Sequence, residues 1–459
     1  MEQSNVKSFP GRNVFSTFGR FARSKAHSSA ALKTMFFSIF ILLINMLTGV
    51  LTARFLGPTG RGEQTAMVNW SQFLAFCMTF GIPSALIYNA KRRSEQTGGL
   101  YATALLMGIG FGGVAMAVGI LVLPMWLDSF DRDVVLFSQW SMILCPLIVI
   151  SQINNAILQV RDEYRQYNRL RYLVPLTTLL MLVVLILTGT MNAHTSAIAY
   201  LLPAVPFYIA MTVRMLRIYG RQLKVSLDNF KRLFTYGLGS YGNDLMGQVS
   251  LYIDQILIAG LLNPSDLGLY AVAVSLAKMV SVFSNSIIVV LFPKASGLDK
   301  QEAVDITFRA FRISMAVTLL ASLALMLIAP YVLTLLYGAE FKEALSVFRL
   351  LLLQTAIGGG TMVLAQAFMA LGRPKVVTLL QGLGLALVVP MLFLVVPRFG
   401  LVGAGYAMLA SVLIRFIFIL FNFKYTLKIK IPPLWVTRGD IQWLRKTMYS
   451  TLRKKSVNM

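Results

Sequence analysis

The chain has 459 residues, 57% of them hydrophobic and 13% charged, with a mean hydropathy of +0.70. Soluble domains carry about 25% charged residues, so a shortfall along the whole length excludes a soluble globular protein and indicates a polytopic membrane protein. The net charge of +24 does not point to nucleic acid, because the cations form short clusters on alternate loops between apolar segments, as topology signals do.

Residues 1–33 carry six basic residues with Phe9, Phe15, Phe18 and Phe21. The apolar run from Met35 is of full span length, so no cleavable signal is read there. This segment is predicted to be a basic cytoplasmic tail. A spanning helix needs about 20 apolar residues, and inserted backbone must bond internally, which makes helices the default. Twelve spans follow, at 34–55, 64–90, 99–123, 136–158, 172–190, 195–216, 232–262, 267–293, 306–336, 344–370, 375–397 and 400–423. The tails and the basic loops hold 34 Lys and Arg, and the intervening loops hold four: Arg61, Arg132, Lys342 and Arg398. That bias predicts both termini on the cytoplasmic side. Residues 424–459 are predicted to be a second basic tail, with Pro432, Pro433, Trp435 and Trp443 suited to a membrane surface.

The turn between spans one and two, Leu56-Gly57-Pro58-Thr59-Gly60-Arg61-Gly62, has a copy between spans seven and eight, Leu262-Asn263-Pro264-Ser265-Asp266-Leu267-Gly268. Leu56, Pro58 and Gly62 each lie 206 residues before their identical partners. A period that long indicates two homologous halves. Six spans per half preserve orientation, so the repeat is parallel, related by an axis along the membrane normal, as in transporters that rock one half against the other. The predicted fold is all-α: two six-helix lobes, 34–216 and 232–423, joined by a short basic linker at 217–231.

Charges deep in a span face water or a partner. Asp244 and Asp254 are the carboxylates well inside spans, both in span seven. With Ser240, Gln248 and Gln255, Asp244 falls within about 80° of arc on a helical wheel, and Asp254 lies beside them. Lys278, in span eight, differs from Asp254 in depth by roughly 6 Å at 1.5 Å per residue. A pair between them is predicted in at least one state, serving either as a switch or as a structural tie. Subtracting the repeat offset takes Lys278 to Gln72, Asp254 to Thr48 and Asp244 to Ser38, so the first lobe keeps polarity and loses charge. Ser38, Asn45, Thr48 and Thr52 share a face of span one, and Asn69 and Gln72 extend it in span two. Arg415 either meets a phosphate or snorkels to the interface. Arg349, close to a span end, is read as snorkelling, and Arg54 as bracing the first turn.

Gly81 with Pro83 in span two, and Gly358, Gly359 and Gly360 in span ten, are read as points where a helix is interrupted and bends; close helix packing is the competing reading. Cys77 and Cys145 are read as buried thiols. His27 and His194 are isolated, and Asp128, Asp131 and Asp133 form a solvated turn. No metal site is read.

Residues 45–70 (NMLTGVLTARFLGPTGRGEQTAMVNW), FGIPSALIY from Phe80 to Tyr88, the helix seven and eight stretch of the second lobe, and LFPKASG from Leu291 to Gly297 resemble bacterial polysaccharide-biosynthesis flippases. These belong to the multidrug/oligosaccharidyl-lipid/polysaccharide exporter superfamily. The resemblance covers most of residues 34–423. It implies two six-helix bundles forming a V, and movement of an undecaprenyl-diphosphate-linked oligosaccharide between leaflets of the bacterial cytoplasmic membrane. It also implies that capsule, exopolysaccharide or O-antigen export is served. No cofactor is expected; the superfamily includes proton- and sodium-coupled exporters, which leaves a coupling ion open. Membrane lipid, polysaccharide polymerase and chain-length proteins are the candidate partners. Two alternatives stand beside this: an ion-coupled small-molecule exporter on the same scaffold, weakened by the lack of a carboxylate in span one, and a membrane-embedded polymerase or assembly protein, weakened by the short outer loops.

Overall fold

A computed structural model describes residues 14–440 and 442, with side chains from Phe40 onward except those of Asn243 and Asp244. Residues 1–13 of the first tail, 441 and 443–459 of the second, and the side chains of Ser38 and Asp244 therefore lie outside the described residues. Every regular element described is helical: α1 (Val14–Cys77), α2 (Ile82–Arg92), α3 (Thr97–Trp126), α4 (Arg132–Ser141), α5 (Cys145–Val160), α6 (Tyr164–Leu187), α7 (Ala193–Leu201), α8 (Ala204–Tyr219), α9 (Leu227–Leu261), α10 (Pro264–Ala295), α11 (Lys300–Val332), α12 (Leu345–Ala370) and α13 (Pro374–Tyr425), with short 3-10 and π turns between some of them.

Nine helical stretches among the described residues are long and apolar enough to cross a membrane, and α9 adds a shorter apolar run, Leu245–Leu261. Two of the nine are double. The chain reverses within α1 at Gly57 (φ 67°, ψ −179°) and within α13 at Gly400 (φ 56°, ψ −141°). Both glycines hold a positive φ that residues with a Cβ rarely adopt. Pro58, directly after the first reversal, supplies a φ suited to an opening helical turn and has no N–H to leave unpaired. Counting the halves separately, with α9, yields the twelve predicted spans. Span one is 40–56, span two is 58–92, span seven is α9 and span eight is α10.

The two copies of the repeated turn reach this geometry differently. The first relies on Gly57. The second uses Asn263, whose side chain accepts a hydrogen bond from the Asp266 N–H at 2.9 Å and so caps α10 ahead of Pro264.

Local departures from regular spans follow their prolines. Span two is broken between Cys77 and Ile82, with Gly81 left-handed (φ 66°, ψ 13°) and Pro83 in the opening turn of α2. Span four breaks into α4 and α5 ahead of Pro146, and span six into α7 and α8 around Pro203. Span ten is corrected: α12 runs unbroken through Gly358, Gly359 and Gly360. A Cβ at Gly359 would lie 2.4 Å from the Ser284 hydroxyl of α10, and one at Gly360 2.9 Å from the Phe311 ring of α11. These glycines bring three helices together.

The tails and linker also differ from expectation. Residues 14–33, predicted as tail, belong to the backbone of α1. The link between lobes is shorter than predicted, because α8 extends to Tyr219 and α9 starts at Leu227. Residues 426–440, predicted as tail, fold back on the second lobe. Asp440 is buried and accepts from Arg312 of α11 at 2.6 Å (Nε) and 2.8 Å (Nη2), while Arg312 Nη1 donates to the Pro433 carbonyl at 3.1 Å. The Arg312 guanidinium holds the Asp440 carboxyl well below the usual carboxylate range. Cys77 and Cys145 are free thiols, and Asp128, Asp131 and Asp133 are exposed in the turn between α3 and α4.

Candidate functional site

The lobes meet at the repeated turns. A Cβ at Gly62 would lie 1.7 Å from the Pro264 carbonyl oxygen, and a Cβ at Gly268 1.9 Å from that of Pro58. Pro58 and Gly62 occupy in the first repeat the places of Pro264 and Gly268 in the second. The contact is therefore reciprocal, as a two-fold axis between the halves requires. Backbone touches backbone here, and only glycine permits it. This end of the interface is closed.

From that contact a seam between span two and α9 runs toward the basic face. Asn69 Nδ2 donates to Gln255 Oε1 at 2.7 Å, and the Tyr252 hydroxyl to Gln72 Oε1 at 2.8 Å. Phe76 stacks on Tyr252 with centroids 5.9 Å apart. Tyr241 donates to the Cys77 carbonyl and stacks on Phe80. Gly237 lies on the Phe80 carbonyl, and Tyr88 stacks on Tyr236 at 4.0 Å. Trp126 of α3 adds a hydrogen bond to the Ile256 carbonyl at 2.9 Å and lies over Gly260.

The pseudo-symmetric seam, between α10 and span one, is built from different residues. Lys278 stands where Gln72 does, Ser275 where Asn69 does, Met46 where Tyr252 does and Gly49 where Gln255 does. Among the described residues, the polar bridges of the first seam thus have no counterpart in the second. Instead Ser275, Lys278 and Asn285 are all exposed and fall within about 80° of arc on α10. A polar stripe with a cation at span depth is costly to hold against hydrocarbon.

Asp254 does not join that stripe. It is 5% exposed; Oδ2 accepts from the Tyr270 hydroxyl at 3.0 Å, and Oδ1 from the Gln255 N–H at 2.9 Å. Among the described residues no ion pair joins Asp254 to Lys278 within 4.0 Å. Tyr270 and Lys278 are eight residues apart on α10, about 80° around the helix; the tyrosine hydroxyl takes the carboxylate, and Lys278 acts on it through its charge without an ion-pair contact. Gln255 links the carboxylate to the seam, since its N–H holds Asp254 and its side chain holds Asn69.

Of the remaining candidates, Gln248 is half-buried on α9, and only the backbone of Asp244 is described. Arg415 lies against Gly384 of α13, where a Cβ would come within 3.0 Å of Nη1, and its buried Nε has no hydrogen-bond partner among the described residues. Arg54 donates to the Thr334 carbonyl at 3.3 Å. Asn45, Thr48 and Gln72 line a common cavity inside the first lobe. Tyr252, Tyr270 and Tyr241 carry no distinguishing signal in the sequence, because a tyrosine in an apolar helix is ordinary core until its hydroxyl partner is seen.

The fold and the interface define a two-lobed polytopic membrane protein of transporter architecture. Residues 51–346 match the family of polysaccharide biosynthesis proteins, and the chain belongs to that family. A putative O-antigen transporter of Shigella flexneri is 20% identical over 369 residues, covering 77% of this chain and 87% of that protein. The probable low-salt glycan biosynthesis flippase Agl15 of Haloferax volcanii is 21% identical over 188 residues, 40% of each chain. Among solved structures, the lipid II flippase MurJ in an inward closed conformation superimposes with a TM-score of 0.74 at 12% identity, over 86% of this chain and 87% of that one. An inward-facing multidrug resistance MATE family transporter of the MOP superfamily gives 0.67 at 15% identity, over 85% and 96%. These likenesses establish the twelve-span, two-bundle V as the fold.

Proposed function

We propose that this protein flips an undecaprenyl-diphosphate-linked oligosaccharide across the bacterial cytoplasmic membrane by alternating access, for export of capsule, exopolysaccharide or O-antigen. The observation that carries the reading is the exposed Ser275–Lys278–Asn285 stripe on α10, on a helix whose pseudo-symmetric counterpart takes part in a seam closed by hydrogen bonds. A glycan head cannot cross hydrocarbon alone, since each hydroxyl stripped of partners costs about 4–8 kcal/mol on an alkane scale. A hydrated stripe replaces those partners while the lipid tail stays in the bilayer. Lys278 offsets the diphosphate, and Arg415 is the second cation available to it. Export then requires the contact between the repeated turns to part while the basic end closes. The bias of Lys and Arg toward alternate loops supports both termini in the cytoplasm, and a proton or sodium gradient is the proposed drive.

The test is leaflet transfer of a lipid-diphosphate-linked oligosaccharide in vesicles containing the purified chain. Lys278→Ala and Asp254→Ala are each expected to lower the rate at least tenfold. Wild-type rates in both would remove the site assignment. Drug efflux without glycan transfer by the wild type would replace the substrate class.

A further inference from the structure

A cavity of about 300 Å³ lies inside the first lobe, walled by spans one, two, four, five and six. That volume is at the lower end for small-molecule sites, roughly 300–1,000 Å³. Its polar and aromatic lining includes the amides of Asn45, Gln72 and Gln152 and the rings of Phe76, Tyr200 and Tyr208; among the described residues no Asp, Glu, Lys, Arg or His contributes. No described residue hydrogen-bonds the side-chain amides of Asn45 or Gln152.

That lining selects a ligand class. A charged group there would have no countercharge, and an unpaired buried ion costs several kcal/mol. A purely apolar guest would strand the half-buried Gln152 amide. An amide offers a donor and an acceptor side by side, which matches adjacent sugar hydroxyls. Aromatic faces cover the C–H faces of the same ring. We infer that this first-lobe cavity binds a neutral sugar ring, which, resting on the flippase reading above, belongs to the glycan of the lipid-linked substrate. The two lobes then divide the substrate by charge: the stripe with Lys278 takes the diphosphate and the uncharged cavity takes sugar.

The cavity also communicates with the interface. Gln72 and Phe76 line it, and both touch Tyr252 of the second lobe, by the 2.8 Å hydrogen bond and the 5.9 Å stack. A sugar that takes the Gln72 amide competes with Tyr252, so occupancy loosens the seam.

The experiment uses the full chain in nanodiscs and an undecaprenyl-diphosphate-linked N-acetylglucosamine disaccharide with a diazirine on its outer sugar. After photolysis, mass spectrometry is expected to find adducts on residues 144–152 or 200–208. Gln152→Leu, and separately Asn45→Leu at an exposed rim position, are expected to cut adduct yield per bound carrier at least fivefold. Excess free disaccharide should suppress the adduct. Adducts confined to α10, or yields unchanged in both variants, would overturn the sugar assignment while leaving the flippase reading intact. A chain that neither binds nor transfers the carrier would overturn both.

Discussion

Gly62 and Gly268 each lie on the carbonyl of the proline that opens the other repeat, Pro264 and Pro58, with no room for a methyl group on either side. The obstructing atoms are backbone, which cannot rotate away as a side chain would. Gly62→Ala or Gly268→Ala is therefore expected to hold this end of the interface open and to lower transport more than tenfold, with expression retained. Spin-label distances across the two turns should lengthen by several ångströms. Unchanged distances would show that the contact is not a gate.

The polar bridges of the seam should be energetically coupled to one another. Tyr252→Phe keeps the stack on Phe76 and removes the donor to Gln72, at a cost of about 0.5–1.5 kcal/mol. Asn69→Ala and Gln255→Ala combined should cost less than the sum of the single changes, with a coupling of about 0.5–3 kcal/mol. Thermal unfolding in detergent across the double-mutant cycle measures it; strict additivity would contradict the observed bond.

Tyr270→Phe is expected to destabilise the second lobe by about 1–3 kcal/mol, because it strands one oxygen of the buried Asp254 carboxylate. Asp254→Asn should be milder than Tyr270→Phe, since a neutral amide needs less compensation. The reverse order in melting temperature would mean that the carboxylate has another partner.

The folded-back segment carries a pH signature. The Asp440 carboxyl is held below its ordinary value first by the hydrogen bond from Arg312. A lowered folded pKa means that its stabilisation is complete above the unfolded value, about 3.9, and is lost as pH falls from there toward the folded value. Residues 426–440 should therefore resist protease from about pH 8 down to about pH 5. Asp440→Asn should release them throughout that range, since removing one member of a buried pair costs about 3–5 kcal/mol. Equal protection of the variant would show that Leu427 and Leu434, packed at the end of the second lobe, hold the segment by themselves.

Much of this was legible in the chain. Apolar runs and basic loops reveal spans because the bilayer imposes length and polarity locally, residue by residue. The shared face of Asn45 and Thr48, joined by Gln72, converges on one cavity because helical periodicity sets which residues point together. Partners were not legible. Lys278 and Asp254 match in depth and act on each other electrostatically, yet depth ignores rotation about two helix axes, and the hydrogen bond to the carboxylate comes from Tyr270. Gly81-Ile82-Pro83 and the Gly358–Gly360 run look alike as breakers, yet only the former interrupts a helix. In the latter, neighbouring helices fill the space that the missing side chains leave.

The amino-acid order alone determined a duplicated, twelve-span membrane chain with a cationic face, because hydrophobicity, charge bias and a long repeat are additive along the chain. Only the tertiary arrangement decided which of two near-equivalent seams is bonded shut and which exposes its lysine. That choice rests on single substitutions between copies, Gln72 for Lys278 and Tyr252 for Met46. Their meaning exists only once two helices from different lobes face each other.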